Sequence, residues 1–199
     1  MTLSILISIV VGIICGMTLL PQSIAPHMDL FTTIALNILI LFVGIDIGMN
    51  KHIFKDVKKH GLLLVIIPLS IVIGSVVGGL VTSIIINYDT NISLAISAGF
   101  GWYSLSGILL TKLDSAEIGA IAFLTNVFRE VFAVLSIPFI AKYLNKYTTI
   151  APAGATSMDT MLPIVSRYTN PEIVVISFFN GVVLSSLVPV LVPFFYSLK

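Results

Sequence analysis

Residues 62–86 form a run of 25 residues without one ionisable side chain, and this run limits the possible folds more than any other feature. A helix of about 20 apolar residues crosses the ~30 Å hydrocarbon core of a bilayer. Charged residues make up 10% of the 199-residue chain, and the mean hydropathy is +1.12. Soluble domains carry about 25% charged residues. The sequence therefore excludes a soluble domain, a disordered chain and a disulfide-rich module, and it predicts an all-α polytopic integral membrane protein.

Other classes are excluded by the absence of particular groups from the sequence. A net charge of +1 argues against a nucleic-acid partner, and the single Cys15 offers neither a disulfide nor a metal site. No Walker loop is present, and no Cys/His cluster offers metal ligands. The three histidines lie in predicted loops, so no imidazole base is available at membrane depth. We predict no enzyme activity, no cofactor and no metal.

The chain is predicted to form one transmembrane domain, residues 1–199, with two interrupted segments among its membrane-embedded segments. The predicted segments lie near residues 3–20, 31–49, 62–86, 92–113, 117–141, 151–165 and 172–197. The fourth contains GFGWYSLSG, and the sixth is short and contains two prolines. Irregular backbone survives at membrane depth only inside protein or along a cavity. Because secondary transporters build their sites from such segments, a binding site is predicted at these two breaks.

Lysine placement predicts the orientation of the chain but leaves one choice open. The loop after the second span carries Lys51, Lys55, Lys58 and Lys59 and should face the cytoplasm. If residues 92–113 are re-entrant, Lys142 and Lys146 also fall inside. If these residues cross fully, both lysines fall outside.

A weak internal repeat is visible in AEIGAIAFLTN at 116–126 and PEIVVISFFNG at 171–181. One Glu, two Ile and one Phe match, and the asparagines fall one residue apart. Each unit would contain a broken segment, an acidic residue and a full span, as in duplicated transporters. Chance similarity between apolar stretches is the alternative.

The span near 117–141 carries three strongly polar side chains at its centre. Asn126, Arg129 and Glu130 stand at i, i+3 and i+4 and therefore share one helical face. Arg129 and Glu130 are sequence neighbours about 100° apart, so each should find its partner in another segment or in water. Because a central charge costs roughly 2.5–3.5 kcal/mol, a substrate or proton site is predicted here. A buried ion pair that fixes helix packing is the alternative.

The interrupted segments supply the other candidate site residues. Asp159 is the one acid in its segment, with Ser157 and other hydroxyls beside it, and it could hold an ammonium group or a proton. A helix N-cap is the alternative role for this carboxylate. Ser104, Ser106 and Trp102 are candidates in the first broken segment, although Trp102 could equally belong to an interfacial belt.

Three other features are assigned to structure. Asp46 should lie at headgroup level near Lys51, and Asn180 should form an interhelical hydrogen bond. Gly74 and Gly78 form a GxxxG pair that predicts close helix packing.

Three motifs occur together in this chain: GFGWYSLSG at Gly99–Gly107, FLTNVFREVFA at Phe123–Ala133 and APAGATSMDTMLP at Ala151–Pro163. In this combination the chain resembles the lysine exporter (LysO) family of bacterial inner-membrane proteins. The resemblance implies export of L-lysine and the toxic analogue thialysine across the cytoplasmic membrane, by proton antiport. It also implies a functional carboxylate at Asp159.

From these residues we also expect a mechanism of alternating access around the two broken segments, and the resemblance implies a partner. Asp159 would bind the substrate ammonium or a proton, and Glu130 would be a second titratable group balanced by Arg129. Serines and amides of Gly99–Gly107, or a half-helix N-terminus, would hold the substrate carboxylate. Family members have further N-terminal spans and a second intramembrane acid, so the chain is expected to be the C-terminal part of a split exporter. It would work with a second small membrane subunit or as a homo-oligomer.

Two other functions stay open at this point. The chain could transport another amino acid or an organic acid. It could also be a pore-forming or regulatory membrane subunit without a transport cycle of its own.

Overall fold

The computed structural model describes residues 61–198 and isolated helical positions between residues 11 and 45. Apart from those positions, the spans predicted near 3–20 and 31–49 lie outside the described residues, and so does Asp46. Every regular element of the described part is helical, which confirms the all-α prediction. The helices are α1 Leu63–Ile86, α2 Thr90–Ser97, α3 Tyr103–Leu113, α4 Ala116–Tyr143, α5 Ile150–Ala153, α6 Leu162–Tyr168 and α7 Pro171–Tyr196. Short 3-10 turns, Lys146–Thr149 and Gly154–Met158, flank α5.

Within the described ranges, α1, α4 and α7 are the helices long and apolar enough to cross a membrane. Both α4 and α7 begin with a side-chain cap: Ser115 Oγ accepts from Ile118 N, and Asn170 Oδ1 accepts from Ile173 N. A glutamate follows in the first turn of each helix, where it stabilises the positive end of the helix dipole. The two helices thus share a side-chain N-cap followed by a glutamate in the first turn.

Both segments that were predicted to be interrupted are broken in the structure. Between α2 and α3 the backbone turns through positive φ at Phe100 (47°) and Gly101 (100°). Between α5 and α6 it does so at Gly154, with φ 60° and ψ −130°, a region that glycine alone adopts without strain. Each break therefore lies in a Gly-rich motif noted in the sequence.

The first broken segment, α2–α3, returns to the end of the bundle from which it started. In the first turn of α2, Asn91 Nδ2 donates to Tyr196 O at 3.2 Å. After α3, Asp114 Oδ2 accepts from Tyr196 Oη at 3.0 Å. Both ends of α2–α3 therefore lie beside the C-terminal end of α7, which supports the re-entrant alternative.

The second broken segment starts and ends at the opposite end of the bundle. Tyr147 Oη donates to Glu172 Oε1 at 3.0 Å, beside the first turn of α7. Burial and this hydrogen bond raise the pKa of the Tyr147 phenol, so it stays a neutral donor near pH 7. The return helix α6 ends three residues before α7 begins. The two hairpins enter from opposite ends, each followed by a long helix, which is the arrangement of an inverted repeat.

The tips of the two hairpins meet inside the bundle. Ala155 N donates to Phe100 O at 2.8 Å, so one backbone hydrogen bond joins the two breaks. A Cβ at Gly154 would collide with Phe100 O, so glycine is needed for this approach. Phe100 is fully buried, whereas many apolar side chains of α1 and α4 face outward. An apolar exterior around a buried crossing of broken helices suits a bilayer.

Candidate functional site

Asn126 on α4 ties the first break to the long helix. Its Oδ1 accepts from Gly101 N at 2.7 Å, and its Nδ2 lies within 3.2 Å of Ser106 Oγ. The same Nδ2 donates to Ala122 O at 2.9 Å. A Cβ at Gly99 would lie 2.5 Å from Nδ2, so the glycine makes room for the amide. Asn126 is buried and holds the tip of the first hairpin in place.

Asn180 on α7 has the same position in the second unit. Its Nδ2 donates to Gly154 O at 3.0 Å and to Ser157 Oγ at 2.9 Å. These bonds confirm the predicted hydrogen-bonding role of Asn180. Ser157 corresponds to Ser106, and it also exchanges reciprocal bonds with Ser177 of α7. Asn180 Oδ1 is buried and has no hydrogen-bond partner, so the two amides are not equivalent.

Arg129 lies three residues beyond Asn126 and contacts two other segments. Its Nη1 donates to Ser75 Oγ on α1 at 3.0 Å. Its Nε and Nη2 donate to the carbonyls of Pro152 and Ala151 at 3.4 Å. These carbonyls belong to α5, whose C-terminal end carries partial negative charge. Arg129 has no ion pair with any described carboxylate, so its expected charge balance by Glu130 is not seen as a direct contact.

Glu130 contacts the other half of the same hairpin. Its carboxylate lies beside the Thr160 side chain and is close enough to Asp159 for the two charges to interact. Asp159 Oδ1 accepts from Thr160 N at 2.6 Å and lies 3.5 Å from Thr160 Oγ1. Met161, not Asp159, is the N-cap residue of α6. We call Glu130, Asp159 and Thr160 the acidic cluster.

Arg129 and Glu130 follow one another on α4 and carry opposite charges. Each contacts a different half of the second hairpin. Arg129 contacts the entering half and Glu130 the returning half. This arrangement agrees with the expectation that each finds its partner in another segment. It brings Asn126, Arg129, Glu130, Ser106, Ser157 and Asp159 to the crossing of the two hairpins.

Ser104 and Trp102 are placed differently. Ser104 is exposed on α3 and lines a shallow cavity against α4 with Lys112 and Phe123. Trp102 is 36% exposed. Neither residue lines the cavity that Arg129 borders between α1, α2 and α4. Their roles stay predictions.

Sequence reasoning missed Ser75 and the backbone carbonyls that receive Arg129. Ser75 follows Gly74 in a predominantly apolar span, and a hydroxyl next to a glycine was the available signal. The glycine pair in this span does not pack closely against any described residue, because a Cβ at Gly74 or Gly78 would have no described atom within 4 Å. The tight glycine is Gly79, where a Cβ would lie 2.5 Å from Ser97 Oγ. No three metal-ligating side chains come together among the residues described.

Paired broken segments that enter from opposite ends and meet between long apolar helices, with half-buried charges at the crossing, are typical of a helical membrane protein of the secondary-transporter type. The family model described as "Lysine exporter LysO" matches residues 6–196, and the chain belongs to this family. The membership confirms the resemblance seen in the sequence. It also bears out the exclusion of an enzyme, because the family is one of transporters.

Two curated relatives support the assignment. The chain is 34% identical over 189 residues to "Lysine exporter LysO" of Escherichia coli strain K12. That match covers 94% of this chain and 61% of the Escherichia coli protein. Identity to a Haemophilus influenzae protein is 35% over 161 residues, covering 80% of each chain. No solved structure matches the chain.

Proposed function

We propose that this chain exports L-lysine and thialysine from the bacterial cytoplasm in exchange for protons, with the acidic cluster as the exchange site. The observation that carries the proposal is the meeting of Glu130 with Asp159 through Thr160 at the second break. Ionisable groups inside a membrane protein are by default functional. The choice of lysine as the substrate comes from the names of the relatives. The two carboxylates of the acidic cluster suit a cationic substrate.

Two carboxylates in one cluster repel each other when both are ionised, so the cluster gains from holding one cation between them. A proton and a lysine ammonium group both meet this requirement. Because each neutralises the same charge, binding of one favours release of the other. Competition of this kind is the simplest basis for antiport.

Exchange for a proton also offsets the free-energy cost of exporting a cation against the membrane potential. Moving one positive charge outward against ~100 mV, inside negative, costs about 2.3 kcal/mol. Inward movement of one proton per exported lysine cancels that cost. The remaining pH gradient then drives export.

The crossing of the hairpins supplies an element that can alternate. One backbone hydrogen bond, Ala155 N to Phe100 O, links the two tips directly. A small relative movement of the two inverted units would break this bond and change which side reaches the acidic cluster. Alternating access by rocking of inverted repeats is the general solution in such folds.

Counter-flow of labelled L-lysine in proteoliposomes of the purified chain tests the proposal. Wild-type protein should accumulate label against unlabelled lysine inside, and Asp159→Asn and Glu130→Gln should lose at least ~tenfold of that rate, because each removes one charge of the cluster. Glu117→Gln, an exposed acid at the start of the same helix, is the matched control and should keep wild-type counter-flow. Unchanged counter-flow in Asp159→Asn would contradict the proposal.

The same assay separates the rival functions. A pore gives no counter-flow with any labelled compound, whereas a transporter of another amino acid or organic acid gives counter-flow when that compound, and not lysine, is labelled and loaded. The need for a second small subunit or for homo-oligomerisation stays a prediction. Counter-flow by the purified chain alone, with its mass measured in detergent, separates these two.

A further inference from the structure

A cavity of about 370 Å³ lies between α1, α2 and α4, on the side of Arg129 away from the second hairpin. Its volume falls within the range of about 300–1,000 Å³ that is usual for small-molecule sites. Hydroxyl groups and glycines line much of its wall, including Ser75, Gly78, Thr82, Ser97 and Thr125. Arg129 is the one charged residue of this lining, so the described wall offers a cation and no carboxylate.

Among the described residues, Arg129 has no negatively charged side chain as a partner. Its described partners are one hydroxyl and two carbonyls, and both carbonyl contacts are long at 3.4 Å. A guanidinium carries five N–H donors, and these three bonds use three of them. A buried cation without an ion pair is costly unless an anion joins it. The planar fork of arginine matches a carboxylate in a two-bond geometry.

The glycines of α1 give this site its space. Gly79 allows α1 to approach α2 closely, since a Cβ there would lie 2.5 Å from Ser97 Oγ. Gly78 instead faces open space in the cavity. One glycine therefore closes the helix contact, and its neighbour keeps the cavity open.

We infer that this cavity is the binding site for the carboxylate of the transported amino acid, with Arg129 as the group that binds it. The inference rests on the proposed transport function and deepens it. It replaces the serines of Gly99–Gly107 in that role, because Ser106 Oγ is buried and bonded to Trp102 O and Asn126 while Ser104 faces another cavity.

Matched ligand pairs test the inference: L-lysine against L-lysinamide, and L-alanine against L-alaninamide. Each amide lacks the carboxylate and keeps the rest of the molecule. The readout is ligand-dependent thermal stabilisation of the purified chain, which reports affinity. Wild-type protein should bind an acid about 10- to 100-fold more tightly than its amide.

Three variants locate the preference. Arg129→Gln should bind acid and amide equally while its affinity for the amide stays within about twofold of wild type. Gly78→Val should weaken acid and amide alike because it fills the cavity, and Val77→Leu, on the exposed face one residue earlier, is its control. Ser75→Ala removes one anchor of the guanidinium and should reduce the acid preference severalfold. It serves as the test if Arg129→Gln does not fold.

The outcomes separate this inference from the proposed function. If L-alanine but not L-lysine shows an Arg129-dependent acid preference, the lysine substrate is wrong and the carboxylate site stands. If wild type shows no acid preference, or if the folded Arg129→Gln and Ser75→Ala variants keep it, the carboxylate site is overturned. Equal loss of acid and amide binding in Arg129→Gln also overturns it, because that pattern belongs to a purely structural residue.

Discussion

At the scale of single residues, a buried asparagine amide hydrogen-bonds to each of the two breaks and holds it in place. Asn126 and Asn180 are 2% and 1% exposed, and each reaches from a long helix to the hairpin that precedes it. They differ at one atom, because Asn126 Oδ1 accepts from Gly101 N while Asn180 Oδ1 has no partner. Exchanging the oxygen and nitrogen of Asn180 would place its oxygen against Gly154 O, so the orphan atom is the oxygen. An unpaired buried acceptor costs free energy.

This difference predicts unequal effects of two like substitutions. Asn126→Ala removes several hydrogen bonds and leaves Gly101 N unpaired, which should cost about 2–4 kcal/mol, whereas Asn180→Ala should cost about 1–2 kcal/mol because it also removes an unpaired atom. Thermal unfolding in detergent should show Asn126→Ala lowering the Tm by roughly twice as much as Asn180→Ala. Equal shifts would mean that Asn180 Oδ1 has a partner in the folded protein.

At the scale of elements, the two hairpins and their following helices form the inverted pair. The first enters beside Tyr196 and the second beside Glu172, at opposite ends of α7. If the lysine-rich loop faces the cytoplasm, as predicted, this arrangement puts Lys142 and Lys146 on the same side, as the positive-inside rule prefers. The re-entrant topology therefore satisfies both the contacts and the charge distribution.

Cysteine accessibility in sealed vesicles tests this arrangement. In a Cys15→Ser background, Asp89→Cys and Asp114→Cys should react with an impermeant thiol reagent from the same, outer side. Lys146→Cys and Arg167→Cys should react from the opposite side, and all four positions are exposed. Labelling of Asp89→Cys and Asp114→Cys from different sides would show that α2–α3 crosses the membrane and would contradict the inverted pair.

At the scale of the whole molecule, the helix breaks and the polar centre of α4 could be predicted from sequence, whereas the tertiary contacts between distant segments could not. The breaks were visible because glycine, serine and proline are poor residues for a continuous apolar span, and the polar centre of α4 was visible because charge is rare in this chain. The contact between Phe100 and Ala155 left no signal, because both atoms belong to the backbone. The carbonyl partners of Arg129 were invisible for the same reason. The GxxxG spacing of Gly74 and Gly78 stays a prediction of close helix packing, because no described helix packs on this face.

Lysine-driven proton movement tests the central claim most directly. Proteoliposomes of the purified chain would be clamped at zero membrane potential, and internal pH would be followed after addition of L-lysine outside. Lysine should drive proton efflux in the wild type and in Glu117→Gln, and no efflux should occur in Asp159→Asn or Glu130→Gln. Lysine uptake by the wild type without proton movement, or proton movement that persists in Asp159→Asn, would contradict exchange at the acidic cluster.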